Sequence, residues 1–454
     1  MGEVYGMRRN HGNARSVGRR ARDEGSALIV ALVMITAVLL IGGALFAMGV
    51  AESDLVDYGS DSSQSFYLAE GGIERATTWL QELAQQYPPK FPQKQAFDGQ
   101  GLGEGTYDVD IKKKVGSSEW ASGYDIWSTG TVDGVSREIH VVIQRQTFAQ
   151  YVYFADESAT IWFITGNHLD GPVHVNGLVN ISGDPWFEMI VTTAEDEMNI
   201  RPGSDPIFDG GYELGVDYVP LPAPDDLALS LATMATSDGV HGGPLSGQHA
   251  KYEVEIGRNG NLGTLSYRSY SRSGGSYHWS GWTDVDISAT NGICWFDEPV
   301  FIEGTLRGQL TVGSAANINI TDNILYEDST PGSGPNPGCN DILGLVSAKN
   351  VVVYDSTPNL DDCEIHAHML ALDKSFTARN YDEGAPRGEL TIWGGLAQQK
   401  IGPVGQFVSG HVIIHGYNKN YHFDRNFMTN SPPGYPATGK YYVVEWEEIK
   451  SPTG

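Results

Sequence analysis

The sequence predicts an α+β chain that is mostly β: one long N-terminal membrane helix, a small antiparallel sheet, and a β-helix-like (β-solenoid) head. Three observations carry this prediction. Residues Gly25 to Ala51, GSALIVALVMITAVLLIGGALFAMGVA, contain no charged side chain, and at about 1.5 Å of rise per residue such a helix crosses a hydrocarbon core roughly 30 Å thick. Between residues 105 and 146, three runs alternate apolar and polar side chains, the period of half-buried strands. After residue 293, short apolar runs recur, each closed by a small or turn residue. The 56 Gly and 22 Pro in 454 residues fit a chain of many turns.

The apolar stretch is preceded by MGEVYGMRRNHGNARSVGRRARDE, with Arg8, Arg9, Arg15, Arg19, Arg20 and Arg22 against Glu3, Asp23 and Glu24. A basic flank stays cytoplasmic, so the residues after Ala51 are expected on the far side of the inner membrane. A removable signal peptide, with Gly49 and Ala51 as small cleavage-site residues, would have a shorter apolar core of about 7 to 15 residues. A plain single-pass anchor is the other alternative.

A third reading comes from the residues around the start of the run. A basic leader, then Gly25, then a long apolar helix beginning at Ser26 resembles the prepilin class, in which a membrane peptidase cuts after the glycine. SALIVALVMITAVLL followed by QSFYLAEGGIERATTWLQEL resembles PilX-type minor pilins, the A-E-x-G-I-E-x-A pattern standing here as Ala69, Glu70, Gly71, Gly72, Ile73, Glu74, Arg75 and Ala76. The resemblance covers about residues 20 to 84. It implies processing between Gly25 and Ser26 by a prepilin peptidase, and other pilin or pseudopilin subunits as partners through the stem. One departure matters: major pilins carry a glutamate at the fifth mature position, which here is Val30. A buried N-terminal ammonium without that partner is costly, so Val30 fits a minor subunit, such as one at a fibre tip, rather than a self-polymerising one.

Beyond the membrane run, Ala69, Ile73, Ala76, Leu80 and Leu83 return at steps of three and four, one face of an amphipathic helix. Pro88, Pro89 and Pro92 end it. The runs Gly105 to Lys114, Tyr124 to Val132 and Ser136 to Gln146 read as strands, the last two joined across Asp133-Gly134, a two-residue hairpin turn. Helix and strands together are expected to form a pilin-like module, a pattern that a generic α+β domain also shows.

Further on, Leu169 to Thr193 offers the first short alternating runs, broken by glycine or asparagine. The middle reads as an insertion: a proline linker into a short helix opened by Asp225 and Asp226, then a hairpin turning at Asn259-Gly260. From Ile293 to Gly395 the runs PVFIEG, QLTVGSA, NINITDN, LGLVSAKN, NVVVYDS, CEIHAH, MLALDKS and ELTIWGG each place two or three apolar residues on one side. Such runs bury a face only when stacked, as rungs of a β-helix; a β-sandwich is the alternative. AANINITDNI (Ala315 to Ile324) and GYNKNYHFDRNFMTNSPPGYP (Gly416 to Pro436) resemble exported proteins of the same pilin-associated group. The last run, KYYVVEWEEI (Lys440 to Ile449), reads as an edge strand or a solenoid cap, its Glu445, Glu447 and Glu448 discouraging edge-to-edge growth.

The expected organisation is therefore a basic leader (1–25), a transmembrane stem (26–51), a pilin-like helix plus antiparallel sheet (52–148), connecting strands and first solenoid-like runs (149–193), an irregular insertion with a hairpin (194–292), and a β-solenoid-like region with a C-terminal cap (293–454).

Formal net charge is −27, and the residues through Gly25 carry six arginines against three acids, so the chain after Gly25 carries −30. That surface repels phosphate backbones and excludes nucleic acid as a partner. Cys294, Cys339 and Cys363 are an odd set in a disulfide-permitting compartment, which allows one bridge, Cys339 with Cys363 the favoured pair, and spacing alone does not choose. No C-x-x-C pair, G-x-S-x-G elbow, H-E-x-x-H or complete D-x-D-x-D-G loop is present, so no enzyme, cofactor or metal is expected. His366 and His368, two apart beside Asp361, Asp362 and Glu364, fit two surface histidines on a strand or half of a metal site. Arg307, Asp322, Asp373, Lys374 and Arg379 are the residues a polysaccharide groove would use. The aromatics of Tyr151 to Phe163 and Trp279, Trp282, Trp295, Phe296 and Phe301 read as core, or as a sugar or protein platform.

Taken together, these readings lead to a minor pilin-like structural subunit of a type IV pilus or secretion pseudopilus, in the inner membrane before assembly and at the cell surface after it. Its head would prime assembly or touch a surface or glycan ligand. The alternative is an unprocessed single-pass envelope protein with a carbohydrate-binding or polysaccharide-active ectodomain.

Overall fold

The computed structural model describes residues 20–84, 86, 90–114, 123–157, 162–408 and 412–449, so most of the basic leader, Pro88 and Pro89 lie outside the described residues. The membrane run and the amphipathic face belong to one helix, Arg20–Ala84, of 65 residues, about 100 Å long at the usual rise. The polar stretch after Ala51 does not break it, because no proline occurs between Arg20 and Ala84 and Glu, Asp and Ser cost a helix interior only a few tenths of a kcal/mol each. Its C-terminal third packs on a sheet through Leu68, Ala69, Ala76 and Leu80, all buried, with Ile73 half-buried beside them.

That sheet has five antiparallel strands in the order Lys94–Leu102, Gly105–Lys113, Gly123–Val132, Val135–Thr147, Ala437–Ile449. Asp133 and Gly134 both take positive φ in the tight turn that pairs Val132 with Val135, as a two-residue hairpin twisting with its strands requires. Val109, Ile111, Tyr124, Ile126, Ile139, Val141 and Ile143 face the helix. Contact is close enough to reach the helix backbone. A Cβ on Gly130 would lie 2.0 Å from the Ser65 carbonyl oxygen, and one on Gly72 would lie 2.1 Å from Ser128 Oγ. Ser65 Oγ in turn lies 2.7 Å from the Val135 carbonyl oxygen.

The fifth strand corrects the reading of KYYVVEWEEI as a solenoid cap: Ala437–Ile449 is an edge strand, but of this first sheet. An alternating run fits any half-buried sheet edge, and the partner is chosen by where the chain returns. Ala437 pairs with Thr147, and Phe148 N donates to the Pro436 carbonyl at 3.3 Å. Everything between is therefore an insertion that leaves and re-enters at one end of the sheet.

Within the insertion, short strands stack in parallel. One ladder runs through Val240–Gly242, Ile293–Phe296, Gln309–Ser314, Ile342–Ser347, Cys363–Ala371, Pro386–Lys400, Tyr153–Glu157, Val173–Val175, Val191–Thr193 and Tyr212–Glu213. A second joins Lys251–Asn259, Val300–Leu306, Ile318–Tyr326, Val351–Val353 and Phe376–Ala378. A third continues from Pro386–Lys400 through Val412–Phe423, His168–Leu169, Trp186–Phe187 and Ile207–Phe208. Parallel pairing stacks like on like: Val254, Ile302, Ile320, Val353 and Ala378 are successive partners and all buried.

Spatial order differs from chain order. The chain enters the stack in its middle at Tyr153 and runs to one end at Glu213. After a linker pinned by Asn176, which bonds both the Val219 carbonyl and its N–H at 2.8 and 2.9 Å, the helix Pro224–Asp238 leads into Val240 at the opposite end. The chain then returns until Leu396 pairs with Tyr153. Residues 194–292, read from sequence as an irregular insertion, thus contribute strands to both ends of the stack. The helix starts with Pro224 and has Asp225 and Asp226 in its first turn. The hairpin pairs Asn259 with Leu262 and turns through Gly260-Asn261, one residue later than expected, while Lys251–Asn259 is also a rung.

The polar residues assigned to the head surface lie inside it. His366 and His368 are fully buried. His366 accepts from Tyr326 N at 3.1 Å and meets Glu364 Oε1 at 2.9 Å; His368 lies 2.6 Å from Tyr435 Oη and 3.0 Å from the Tyr151 carbonyl. They are core histidines rather than a surface pair, because a strand covered on both faces hides both sides of its alternation. Nor do the cysteines bridge: Cys294, Cys339 and Cys363 are free and buried. Cys363 is a rung partner of Leu390 while Cys339 sits in a loop whose carbonyl accepts from Asn426. Burial pushes all three thiols up to about 12.

Two predictions follow from this packing. Gly130→Ala sets a Cβ against backbone and destabilises the helix–sheet module by about 1–3 kcal/mol, whereas Gly101→Ala, with open space around it, stays within about 0.5 kcal/mol; thermal unfolding of the two variants measures this. Burial lowers the pKa of His174 and His366, and that of His368 from 6.5 to about 3. A lowered base is neutral when folded, so its stability contribution is complete above about pH 6.5 and is lost as pH falls toward 3. At pH 5 His368 alone costs about 2 kcal/mol. Melting temperature therefore declines from pH 7 to 5, with a shallower slope in His368→Gln; equal slopes would show that His368 is not the group responsible.

Candidate functional site

From Ala27 to Ala51 the helix is exposed along its whole length, its Leu, Ile, Val, Met and Phe side chains open to the surroundings. It is one helix, among the described residues, long and apolar enough to cross a membrane by length and composition. Burying each such side chain is worth about 1.5–3 kcal/mol, so the stem carries the largest unmet apolar surface of the protein. Gly25 lies in the helix backbone, Ser26 is exposed near its start, and Val30 is one of the exposed apolar side chains. What this arrangement can do is enter lipid or pack against other helices; it contains no ionisable group between Ser26 and Ala51 to bind anything polar.

The groove candidates do not converge. Arg307 lies in the turn before Gln309–Ser314 and pairs with Glu327 at 3.2 Å; Arg379 follows Phe376–Ala378 and pairs with Asp355 at 3.4 Å. Asp322 is inside Ile318–Tyr326, and Asp373 and Lys374 occupy the turn after Ala371. These are different turns and strands of the stack, each charge serving its own neighbourhood. No group of three or more His, Cys, Asp or Glu placed to hold a metal occurs among the described residues.

The aromatics divide. Tyr153, Phe154, Phe163, Trp295 and Phe296 are core, while Trp279 and Trp282 remain 38% and 40% exposed. On this outer face the Arg268 guanidinium lies 4.3 Å from the Trp279 ring centre and 4.5 Å from that of Trp282. It also donates to Glu253 Oε2, through Nε at 2.8 Å and Nη2 at 2.6 Å. Lys251 Nζ sits 4.3 Å from the Phe301 ring centre and Tyr270 packs on Trp279. Such cation–π contacts hold a hairpin extending from the stack, and they spend the ring faces that a sugar would stack on. Arg268 escaped the sequence reading; its only signal was the pair of tryptophans three residues apart after a tyrosine-rich strand.

Comparison with known proteins adds the following. A family model described as a domain of unknown function (DUF4900) matches residues 120–195, a span that includes the third and fourth strands of the five-stranded sheet and the first strands of the parallel stack. No curated protein matches. Three chains among the solved structures match. One is the crystal structure of the competence-associated pilin ComZ from Thermus thermophilus, which is 12% identical with a TM-score of 0.36 over 86% of this chain and 97% of that one.

Proposed function

We propose that this chain is a minor, pilin-like structural subunit, inserted in the inner membrane by its stem and assembled with other pilin or pseudopilin subunits. One observation carries the reading: a single continuous helix whose C-terminal third is packed on an antiparallel sheet while its apolar N-terminal part is left bare. A helix that only anchored a domain would end or bend at the membrane surface at no cost. Here it continues rigidly into the fold, so the orientation of the domain is tied to that of the stem.

Under this reading a prepilin peptidase removes residues 1–25 between Gly25 and Ser26, and Val30 stands where a self-polymerising subunit would carry a carboxylate. The parallel stack is a β-helix-like head carried outward by the sheet, where it primes assembly or meets a surface. Its role is structural rather than enzymatic. A second reading, an unprocessed anchored protein whose head binds glycans, draws on the exposed edges of Trp279 and Trp282.

N-terminal sequencing of the chain co-expressed with a prepilin peptidase decides between them. The expected mature form begins at Ser26, is abolished by Gly25→Val, and is recovered with sheared surface fibres as a minority component. A chain that keeps its arginines and never co-purifies with fibre subunits overturns the proposal.

A further inference from the structure

Where Val412–Phe423 meets the loop before His168, a cleft with about 500 Å³ of empty space, part of it continuous with solvent, opens between Trp162, Ile164, Phe407, Ile413, Asn167 and Lys419. A second void, with room for about one water molecule, shares Asn167 and Lys419. Lys419 lies in an inward-facing row, as the rung partner of the buried Leu390. Parallel stacking places apolar side chains at that position in neighbouring rungs, Leu390 and then Cys363, so an amine there is out of character with its row.

No carboxylate lies within ion-pair distance of this amine among the described residues, and neither 158–161 nor 409–411, the segments flanking the walls, contains an acidic residue. Beyond the cleft lining, the exposed Arg201 guanidinium lies 3.9 Å from the Trp162 ring centre. Leaving a cation in a desolvated site is costly, and burial accordingly lowers the Lys419 pKa to about 8. Asn167 uses its Oδ1 to accept from Ile164 N at 3.0 Å, which turns its amide NH₂ away from that contact as a further donor.

We propose that this cleft binds a small organic carboxylate, its apolar body lying against Trp162, Phe407 and Ile413 and its anionic head on Lys419, with Arg201 closing the rim. The ligand supplies the charge the protein withholds. The apolar walls select against inorganic anions, and the paired cations select against neutral apolar molecules.

The test uses the full chain in nanodiscs at pH 8 and reads lysine modification by trinitrobenzenesulfonate, residue by residue, with peptide mass spectrometry. Lys419 is expected to be protected at least tenfold by 1-naphthoate, while exposed Lys374 and Lys400 are unaffected. Neutral 1-naphthalenemethanol and sodium chloride at the same concentration should give no protection. Trp162→Ala, which keeps both charges, is expected to weaken protection about tenfold. Absence of protection by 1-naphthoate, or equal protection by the neutral alcohol, overturns the proposal; because the decisive comparison is made on the unaltered chain, misfolding of a variant does not enter it.

Discussion

The pairing of Val135–Thr147 with Ala437–Ile449 holds the molecule together as one object. Without that pair, the large insertion would hang from the sheet by a single connection. With it, both ends of the insertion are fixed side by side, Thr147 opposite Ala437, and the sheet is itself fixed on the helix through Gly72 and Gly130. Arg137, paired with Glu448 and bonded to Ser62 Oγ at 2.9 Å, ties the last strand, the fourth strand and the helix at one point. A rigid path therefore runs from the stem through the sheet to the head.

The same two-point attachment explains the folding order of the stack. An insertion whose termini must meet cannot be a simple coil read from one end to the other, because a coil places its ends at opposite poles. This chain solves the problem by starting in the middle, filling one end, crossing to the other, and returning, so that Leu396 and Tyr153 become neighbours although far apart in sequence. The contact order is high, and such non-local closure is slow to form. Buried polar residues mark the seams. Asn176 holds the crossing linker, and His368 joins Tyr151 at the entrance to Tyr435 near the exit. Each is satisfied by hydrogen bonds, as burial requires.

Charge is distributed with similar economy. Some of the cations pair locally, as Arg268 with Glu253 and Arg307 with Glu327. Aromatic faces take the cations too, so exposed tryptophan on the hairpin is structural in the first instance. Lys419 differs in lining an apolar cleft with no carboxylate within ion-pair distance among the described residues.

By itself the sequence determined the elements whose cause is local: the apolar stem, the helical face at Ala69, Ala76 and Leu80, the turn at Asp133-Gly134, the short helix opened by Asp225 and Asp226, and most of the short strands after Ile293. Each depends on periodicity, turn chemistry or the missing charge over a short window. Tertiary structure alone decided which sheet Lys440 to Ile449 would join, that residues 194–292 would serve both ends of the stack, that His366 and His368 would be buried, and that the three cysteines would be buried and unbridged. It also decided that Lys419 would point among apolar neighbours. These outcomes depend on which distant strands become adjacent, and a two-residue alternation carries no label for its partner. Parallel neighbours are chosen by the closure of the whole insertion, so burial on the second face of a strand becomes visible only when the stack is complete.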